Sequence, residues 1–297
     1  MVYEGNRVVL LGGSGLTETE RFRGVKWLPV HTTYRVTWPE GTVTDGTVWY
    51  QESDDGVIFI PRHGTEMHGQ FGPSRTQYAA NLIAAKTLGA DRVIATSAVG
   101  GLQEGIAPGR MVVLPSDFDD QSGRDDNLFG AGFVMHVNPR PPFSAELRKI
   151  VRECCIDLER SFDNYFGGTY VCIPGDRFGT AAEGKRRTAQ GGTIVGMTLC
   201  PEASVALQLG LHYFPICVPV DMDDDAKHSN TKYVMHVMSA PERLPKLIDA
   251  VLEKVKSAEL GRLEQLAGNI IAQDTSKIQN RFLRRFADEL IREYCND

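Results

Sequence analysis

The chain has 297 residues, of which 42% are hydrophobic and 24% are charged, a composition typical of soluble globular proteins. Its net charge of -6 at pH 7 argues against a general nucleic-acid-binding protein, although small anions need only a local pocket. The apolar run at residues 8–11 is too short for a secretory signal, and no run approaches the length of a membrane span. Six cysteines show neither metal-ligand spacing nor the density of a disulfide scaffold, so we expect reduced, mostly buried thiols in a cytoplasmic protein.

The first predicted strand, at residues 7–11, ends in a glycine-rich loop that contains Ser14. Small residues and a hydroxyl allow backbone amides to approach an anion at this point. The spacing completes neither a dinucleotide-binding fingerprint nor a P-loop, so a nucleotide cofactor is the weaker interpretation. A plain tight turn is also open. Residues 24–50 alternate in the manner of antiparallel strands.

Two later predicted strands also end in residues that suit an anion. One leads into Arg62 and His63, and the other leads into Ser97 and Ala98. An arginine fork and an imidazole, together with the Ser14 hydroxyl, suit a phosphate, whereas an ion pair at the surface is an equally good interpretation of Arg62. Because parallel strands present their C-terminal loops at one edge of a sheet, the three endings together indicate one anion site.

Strands and helices alternate along the chain, which predicts an α/β fold. Helical spacing, caps and stop signals predict helices at residues 78–88, 144–158, 181–190 and 201–209. The second of these has Ser144 as its N-cap. Residues 117–143 carry no regular pattern and are predicted to be irregular. The remainder, at residues 241–257 and about 261–294, is predicted to be helical, with apolar stripes that indicate core or subunit contacts.

The apolar strand at residues 213–220 ends in a run of carboxylates that begins with Asp221 and Asp223. Their spacing places both side chains on one face at the carboxyl end of a strand, where ligands bind in open α/β sheets. Two carboxyls held close together cannot both ionise cheaply, so one of them can donate a proton near neutral pH. A solvated turn or a helix N-terminus is the more common origin of such a cluster.

Together these stretches resemble the trimeric purine nucleoside phosphorylase family, and within it most closely the 5′-deoxy-5′-methylthioadenosine phosphorylases. The resemblance covers roughly residues 6–255. It is carried, in chain order, by Gly12-Gly13-Ser14-Gly15-Leu16, Arg62-His63-Gly64, Thr96-Ser97-Ala98-Val99-Gly100, Gly175 with Arg177-Phe178, Gly196-Met197-Thr198 with Pro201-Glu202, and Asp221-Met222-Asp223.

The resemblance implies a single α/β domain at residues 1–260, with a central mixed, partly barrel-like sheet flanked by helices. Residues 261–297 exceed what the family needs and are predicted to form a C-terminal helical extension. In that family the positions around phosphate match Ser14, Arg62, His63, Ser97, Ala98 and Thr198. The positions that contact the nucleoside match Phe178 and Met197, and the purine is read by those that match Asp221 and Asp223. His136 matches a position that reaches the ribose 5′ end in a neighbouring subunit. The resemblance implies a homotrimer that binds phosphate and a nucleoside, with no metal, organic cofactor, nucleic acid or membrane partner.

Cleavage of an N-glycosidic bond builds oxocarbenium-like charge on the sugar, so a phosphate beneath the anomeric carbon acts as nucleophile and electrostatic partner. By this resemblance Asp221 protonates or hydrogen-bonds purine N7, and Asp223 accepts from the exocyclic amine. A 6-oxopurine would instead require an amide here. We therefore predict a phosphorylase that converts 5′-methylthioadenosine to adenine and 5-methylthioribose 1-phosphate in purine and methionine salvage, with adenosine as a second candidate substrate.

The chain departs from the family at Pro174-Gly175-Asp176, where the family commonly has Glu-Gly-Pro. A carboxylate that contacts ribose or base is therefore lost or moved. Two alternatives stay open: a phosphorylase of 6-oxopurine or 6-methylthiopurine nucleosides, and a catalytically weak relative that binds nucleosides. Incubation with different nucleosides, with and without phosphate, separates all three.

Overall fold

The computed structural model of the protein describes residues 7–13, 19–35, 43–106, 108–109, 111–129, 133–158, 163–223, 244–266, 274–278 and 281–294. Ser14, which was predicted at the anion site, lies outside these residues. Within them, no helix combines the length and the apolar character needed to cross a membrane.

The described residues contain thirteen strands: β1 (Arg7–Gly12), β2 (Leu28–Arg35), β3 (Val43–Glu52), β4 (Ile58–Pro61), β5 (Gly64–Thr65), β6 (Gly69–Gln70), β7 (Ala90–Gly101), β8 (Met111–Leu114), β9 (Asp117–Asp120), β10 (Asp163–Phe166), β11 (Thr169–Cys172), β12 (Ile194–Gly196) and β13 (His212–Met222). They also contain six α-helices: α1 (Tyr78–Thr87), α2 (Ala145–Asp157), α3 (Ala181–Ala189), α4 (Leu199–Gln208), α5 (Leu244–Ser257) and α6 (Arg281–Tyr294). The predicted α/β class is confirmed.

Four parallel strands form the centre of an 11-stranded mixed sheet, in the order β4, β1, β7 and β13. Their residues are almost entirely buried because both faces of the sheet are covered. The register pairs Gly12 with Pro61, Leu11 with Ala95, and Thr96 with Ile216. The residues that follow β1 and β4 therefore lie level with Ser97, at one edge of the sheet.

The long strand β7 belongs to two arms of the sheet. Most of its length pairs with β1 and β13, but Gly100 and Gly101 at its end also pair antiparallel with β12. A Cβ on Gly101 would lie 2.6 Å from Met222 Sδ, so glycine permits the close approach of strands β7 and β13 here. Because β12 continues the sheet through β11 to β9, the sheet is partly barrel-like, as predicted.

The helices predicted in the central part of the chain are confirmed within one or two residues. Ser144 caps α2, since its hydroxyl accepts a hydrogen bond from the Leu147 amide at 3.3 Å. Helix α3 begins with a capping box in which Thr180 and Glu183 each bond the other's backbone amide. The apolar stripe of α5 is buried, at Leu244, Leu247, Ile248, Val251, Leu252 and Val255.

The prediction of irregular structure from residue 117 onward is wrong at its start. Residues Asp117–Asp120 form β9, which pairs parallel with Thr169–Cys172. Three aspartates conceal the strand from a hydrophobicity pattern because only Phe118 is turned toward the core, where it packs beside Phe143. The backbone of β11 supplies the hydrogen-bonding partner, which no local pattern reports.

The prediction of a helix from about residue 261 is also wrong in its first part. Residues 258–263 have no regular structure and residues 264–266 form a turn, whereas α6 spans Arg281–Tyr294. The Gln265 side chain is instead committed to the Pro141 and Phe143 carbonyls, at 2.9 and 3.1 Å. Helix α6 buries Leu283, Phe286, Ala287 and Leu290, which confirms an additional C-terminal helix. The boundary between two units at residue 260 stays a prediction.

Candidate active site

A cavity of about 310 Å³ opens at the edge of the sheet where β1, β4, β7 and β13 end. This volume falls at the lower end of the range of small-molecule sites. Among the predicted site residues, those that line the cavity are Arg62, His63, Ser97, Ala98, Phe178, Met197, Thr198, Asp221 and Asp223. His136 is exposed and is not among the described residues that line it.

Three hydroxyls meet at the end of the cavity nearest Arg62. Ser97 Oγ lies 3.1 Å from Thr198 Oγ1 and 3.0 Å from the hydroxyl of Tyr170. Tyr170 is fully buried, and its hydroxyl also accepts from the Thr198 amide at 3.4 Å. Sequence reasoning missed Tyr170 because an aromatic residue in an apolar strand has the pattern of a core residue. Its position fixes the two hydroxyls against each other.

Arg62 makes an ion pair that is buried, not at the surface. Its guanidinium bonds both carboxylate oxygens of Glu202, which is 0% exposed, and donates to the Thr96 carbonyl at 2.7 Å. Tyr213 also donates to Glu202, at 2.9 Å. Burial acts to lower the pKa of Arg62, but the charge of Glu202 and its hydrogen bonds to Arg62, together with smaller contributions from Tyr213 and Tyr78, raise that pKa overall. The charge of Arg62 is thus largely compensated within the protein, although the residue lines the cavity.

His63 extends this end of the cavity as a neutral side chain. Its Nδ1 lies 2.8 Å from Thr76 Oγ1. Burial and the neighbouring charge of Arg62 lower the pKa of His63 to about 4. The ring is therefore uncharged at neutral pH and contributes a hydrogen-bonding group without a formal charge.

Asp221 and Asp223 lie at the other end of the cavity. The pairing of β13 with β7 shifts register between Pro219 and Asp221, so a bulge precedes the first carboxylate and re-aims the chain. Asp221 then pairs with Gly100, where a Cβ would lie 3.1 Å from its Oδ1. Gly100 is three residues beyond Ser97, which separates the two ends of the cavity by about 10 Å along the strand.

Comparisons with known proteins identify the family of this chain. A sequence profile described as the phosphorylase superfamily matches residues 7–253. The chain belongs to the phosphorylase superfamily. A curated S-methyl-5′-thioadenosine phosphorylase from Pyrococcus horikoshii is 36% identical over 251 residues, which cover 84% of this chain and 93% of the relative. A curated protein of the same name from Emericella nidulans is 33% identical, with 89% of this chain and 76% of the relative covered.

Solved structures with this fold include two phosphorylases. A methylthioadenosine phosphorylase from an antarctic soil metagenomic library superposes with a TM-score of 0.74 at 25% identity, covering 94% of this chain and 97% of its own. A mutant adenosine/methylthioadenosine phosphorylase from Schistosoma mansoni in complex with methylthioadenosine gives a TM-score of 0.69 at 25% identity, with 97% and 98% covered.

In this member of the phosphorylase superfamily, Arg124 organises one wall of the cavity. Its guanidinium donates to the carbonyls of Met197 at 2.8 Å, Cys200 at 2.5 Å and Pro174, and it lies over the Tyr78 ring at 4.8 Å. One arginine therefore ties together the two loops that carry Pro174 and Met197. Sequence reasoning missed it because residues 121–129 showed no pattern at all.

The departure at Pro174-Gly175-Asp176 has a structural counterpart. The Asp176 carboxylate accepts hydrogen bonds from the Ser74 amide at 3.0 Å and the Ser74 hydroxyl at 2.8 Å. These bonds lower the pKa of Asp176, which is exposed and is not among the described residues lining the cavity. Asp176 thus anchors the loop that carries Pro73 and does not replace a carboxylate inside this superfamily site.

Arg187 is a buried arginine that sequence reasoning also missed. It projects from α3 and its Nη1 donates to Asp223 Oδ2 at 3.1 Å. In the sequence it ends a polar run, Glu183-Gly184-Lys185-Arg186-Arg187, that is typical of a solvated helix face. The sequence pattern does not indicate that this arginine is buried. In the structure it is 3% exposed because α3 packs against the end of β13.

Proposed function

We propose that the chain cleaves the N-glycosidic bond of 5′-methylthioadenosine by phosphorolysis, giving adenine and 5-methylthioribose 1-phosphate. The observation that carries this proposal is one cavity with hydroxyls and an arginine at one end and two carboxyls at the other. Their separation of about 10 Å suits a phosphate and a purine held on opposite sides of one ribose. The two curated relatives, which are 36% and 33% identical to this chain, bear the name of this activity.

The phosphate end supplies orientation and no nucleophile of its own. In our proposal Ser97 and Thr198 donate hydrogen bonds to an inorganic phosphate. The backbone of Ala98 and the side chains of His63 and Arg62 also surround this phosphate. The resemblance also assigns Ser14 to the phosphate, and Ser14 lies outside the described residues. A phosphate oxygen bonds C1′ as the C1′–N9 bond breaks, and the phosphate charge stabilises the cationic sugar between them.

The base end receives the leaving group. We propose that Asp221 carries the proton that neutralises purine N7 and that Asp223 accepts from the 6-amino group. Phe178, which is 56% exposed, and Met197 cover the nucleoside between the two ends. A purine with a 6-oxo group would place a carbonyl against a carboxylate and leave both unpaired, so such nucleosides should be poor substrates.

His136 has a place in this proposal only if subunits assemble. It is exposed on a loop beside the C-terminal segment, where the Asn138 amide donates to the Gln265 carbonyl at 3.3 Å. Met135 and Val137 on either side of it pack against the apolar cluster of Leu263, Leu266 and Leu290. We propose that the protein is a homotrimer in which the C-terminal extension after residue 260 supports this loop, and each His136 covers a neighbour's ribose 5′ group.

One incubation series tests the activity. The protein is mixed with methylthioadenosine, adenosine or inosine, each with and without inorganic phosphate, and the released base is measured. We expect adenine from methylthioadenosine only when phosphate is present, with inosine slower by about ten- to a hundred-fold. Faster release of hypoxanthine would assign the protein to 6-oxopurine nucleosides. Tight nucleoside binding without phosphate-dependent release would make it a binding protein and overturn the proposal.

Light scattering and a His136→Ala variant test the assembly. We expect a trimer at working dilution, and a variant whose KM for methylthioadenosine rises while its KM for phosphate does not. An active monomer would contradict the assignment of His136 to a neighbouring site.

A further inference from the structure

The base end of the cavity is supported by a buried arginine that does not itself line the cavity. Arg187 is 3% exposed and its Nη1 lies 3.1 Å from Asp223 Oδ2, whereas its other acidic neighbour, Glu183, is 3.9 Å away. Its Nε is buried without a hydrogen-bond partner among the described residues. A buried cation is costly unless it is paired, so the burial of Arg187 is tied to Asp223.

Two glycines make room for this ion pair. A Cβ on Gly179 would lie 2.4 Å from Arg187 Nη1, and a Cβ on Gly184 would lie 2.8 Å from Asp223 Oδ2. Gly184 and Arg187 are the two buried positions of α3, whose other residues are exposed or partly exposed. The face of α3 that meets the site is therefore shaped around the guanidinium and the carboxylate.

We propose that Arg187 is a positioning residue that determines base specificity through Asp223. This role rests on the proposed function. It means that a residue that does not line the cavity determines which purine the site accepts. The guanidinium fixes the orientation of Asp223 and favours its charged form, which can only accept hydrogen bonds. The site then requires an N–H donor from the base, which a 6-aminopurine supplies and a 6-oxopurine lacks.

Arg187 also lowers the electrostatic cost of placing two carboxyls in one small cavity. Asp221 and Asp223 both approach Gly100, where a Cβ would meet Asp221 Oδ1 at 3.1 Å and Asp223 Cβ at 3.8 Å. A cation beside Asp223 directs the negative charge to that member of the pair, which leaves Asp221 as the member that carries a proton. Arg187 thereby separates the acceptor role from the acid role.

The test compares Arg187→Met, which keeps the bulk and removes the charge, with Arg187→Lys, which keeps the charge. Arg186→Met is the matched control, because Arg186 is exposed on the same helix. For each protein, kcat and KM are measured with adenosine, inosine and phosphate. We expect Arg187→Met to lower the ratio of adenosine to inosine kcat/KM by about tenfold or more, while the phosphate KM changes less than about twofold. Arg187→Lys should keep most of the ratio, and Arg186→Met should keep all of it.

A double-mutant cycle shows whether the effect passes through Asp223. In an Asp223→Asn background, Arg187→Met should change the substrate ratio by less than about threefold, because the carboxylate it acts on is gone. An unchanged ratio in folded Arg187→Met, or an equal change in both backgrounds, would overturn the inference.

Folding and function are controlled separately. If Arg187→Met does not fold, as judged by circular dichroism, Gly184→Ala carries the test, since the added methyl displaces the Asp223 carboxylate and should lower the same ratio. An unchanged ratio in folded Gly184→Ala, or a loss of the ratio in Arg187→Lys as large as that in Gly184→Ala, would overturn the inference. A wild-type protein that releases no base with phosphate would instead refute the proposed function itself.

Discussion

The two ends of the cavity handle charge in opposite ways. At the phosphate end, Arg62 is paired with Glu202 behind the wall, His63 is neutral, and hydroxyls face the cavity. At the base end, Asp221 and Asp223 themselves line the cavity, and Arg187, which pairs with Asp223, does not line it. At the phosphate end, the ligand is charged and the groups that face it are mainly neutral hydrogen-bonding groups. At the base end, the ligand is neutral and the protein supplies the charged groups. The predictions below test this contrast.

The largest effect should come from Asp221→Asn, because the amide keeps the shape of the carboxyl and removes its proton. General-acid assistance is typically worth about 10²–10⁴-fold, so kcat with methylthioadenosine should fall by that order. The phosphate KM should change little, since the other end of the cavity is untouched. Asp163→Asn, at an exposed carboxylate where β10 begins, is the control. Full activity of Asp221→Asn would remove the acid from this position.

Breaking the buried ion pair of Arg62 and Glu202 at the phosphate end should change the stability of the protein more than it changes which base is released. Glu202→Gln leaves the Arg62 charge buried without its partner, which typically costs about 3–5 kcal/mol of unfolding free energy. Denaturant unfolding measures the change. Arg285→Ala, which breaks the exposed pair with Glu289, should cost less than about 1 kcal/mol. Equal losses in the two variants would mean that Glu202 does not compensate Arg62.

This contrast also marks what could be predicted from the sequence. Residues at the ends of apolar strands, such as Ser97 and Asp221, were predictable because the strand pattern is strong and parallel strands end at one edge. Helices α1 and α2 were predictable from spacing and from the Ser144 cap. In each case the pattern predicted where the residue lies relative to a strand or a helix.

The supports of the site could not be predicted in this way. Tyr170 has the pattern of a core residue, Arg124 lies in a stretch that was predicted to be irregular, and Arg187 has the pattern of a solvated helix face. Each acts by reaching atoms that are distant in sequence, such as the Met197 carbonyl for Arg124. Strand β9 was missed for the same reason, since its partner lies about fifty residues later, and a single sequence does not report contacts of that range.

An intermediate effect is expected for Arg124→Met, which removes the bonds to three carbonyls in the wall beside the nucleoside. Loosening Met197 should raise the methylthioadenosine KM by about tenfold, equivalent to about 1.4 kcal/mol. Arg152→Met is the matched control, because Arg152 also lies over an aromatic ring, that of Phe166 at 5.0 Å, but on α2. An equal rise in the phosphate KM would show that Arg124 supports the whole cavity and not the nucleoside wall.

The smallest effect concerns pH and the neutral His63. Burial and Arg62 lower its pKa from 6.5 to about 4. Between these values the unfolded chain binds more protons than the folded protein, so this group's contribution to stability falls as the pH falls from 6.5 toward 4. Unfolding free energy measured at pH 7 and pH 5 should therefore drop less in His63→Gln than in wild type, by on the order of 1 kcal/mol. His136→Gln, at an exposed histidine, should follow the wild-type slope. If His63→Gln followed it too, the histidine would be free to titrate, and the phosphate end would carry a pH-dependent charge that the contrast between the two ends does not allow.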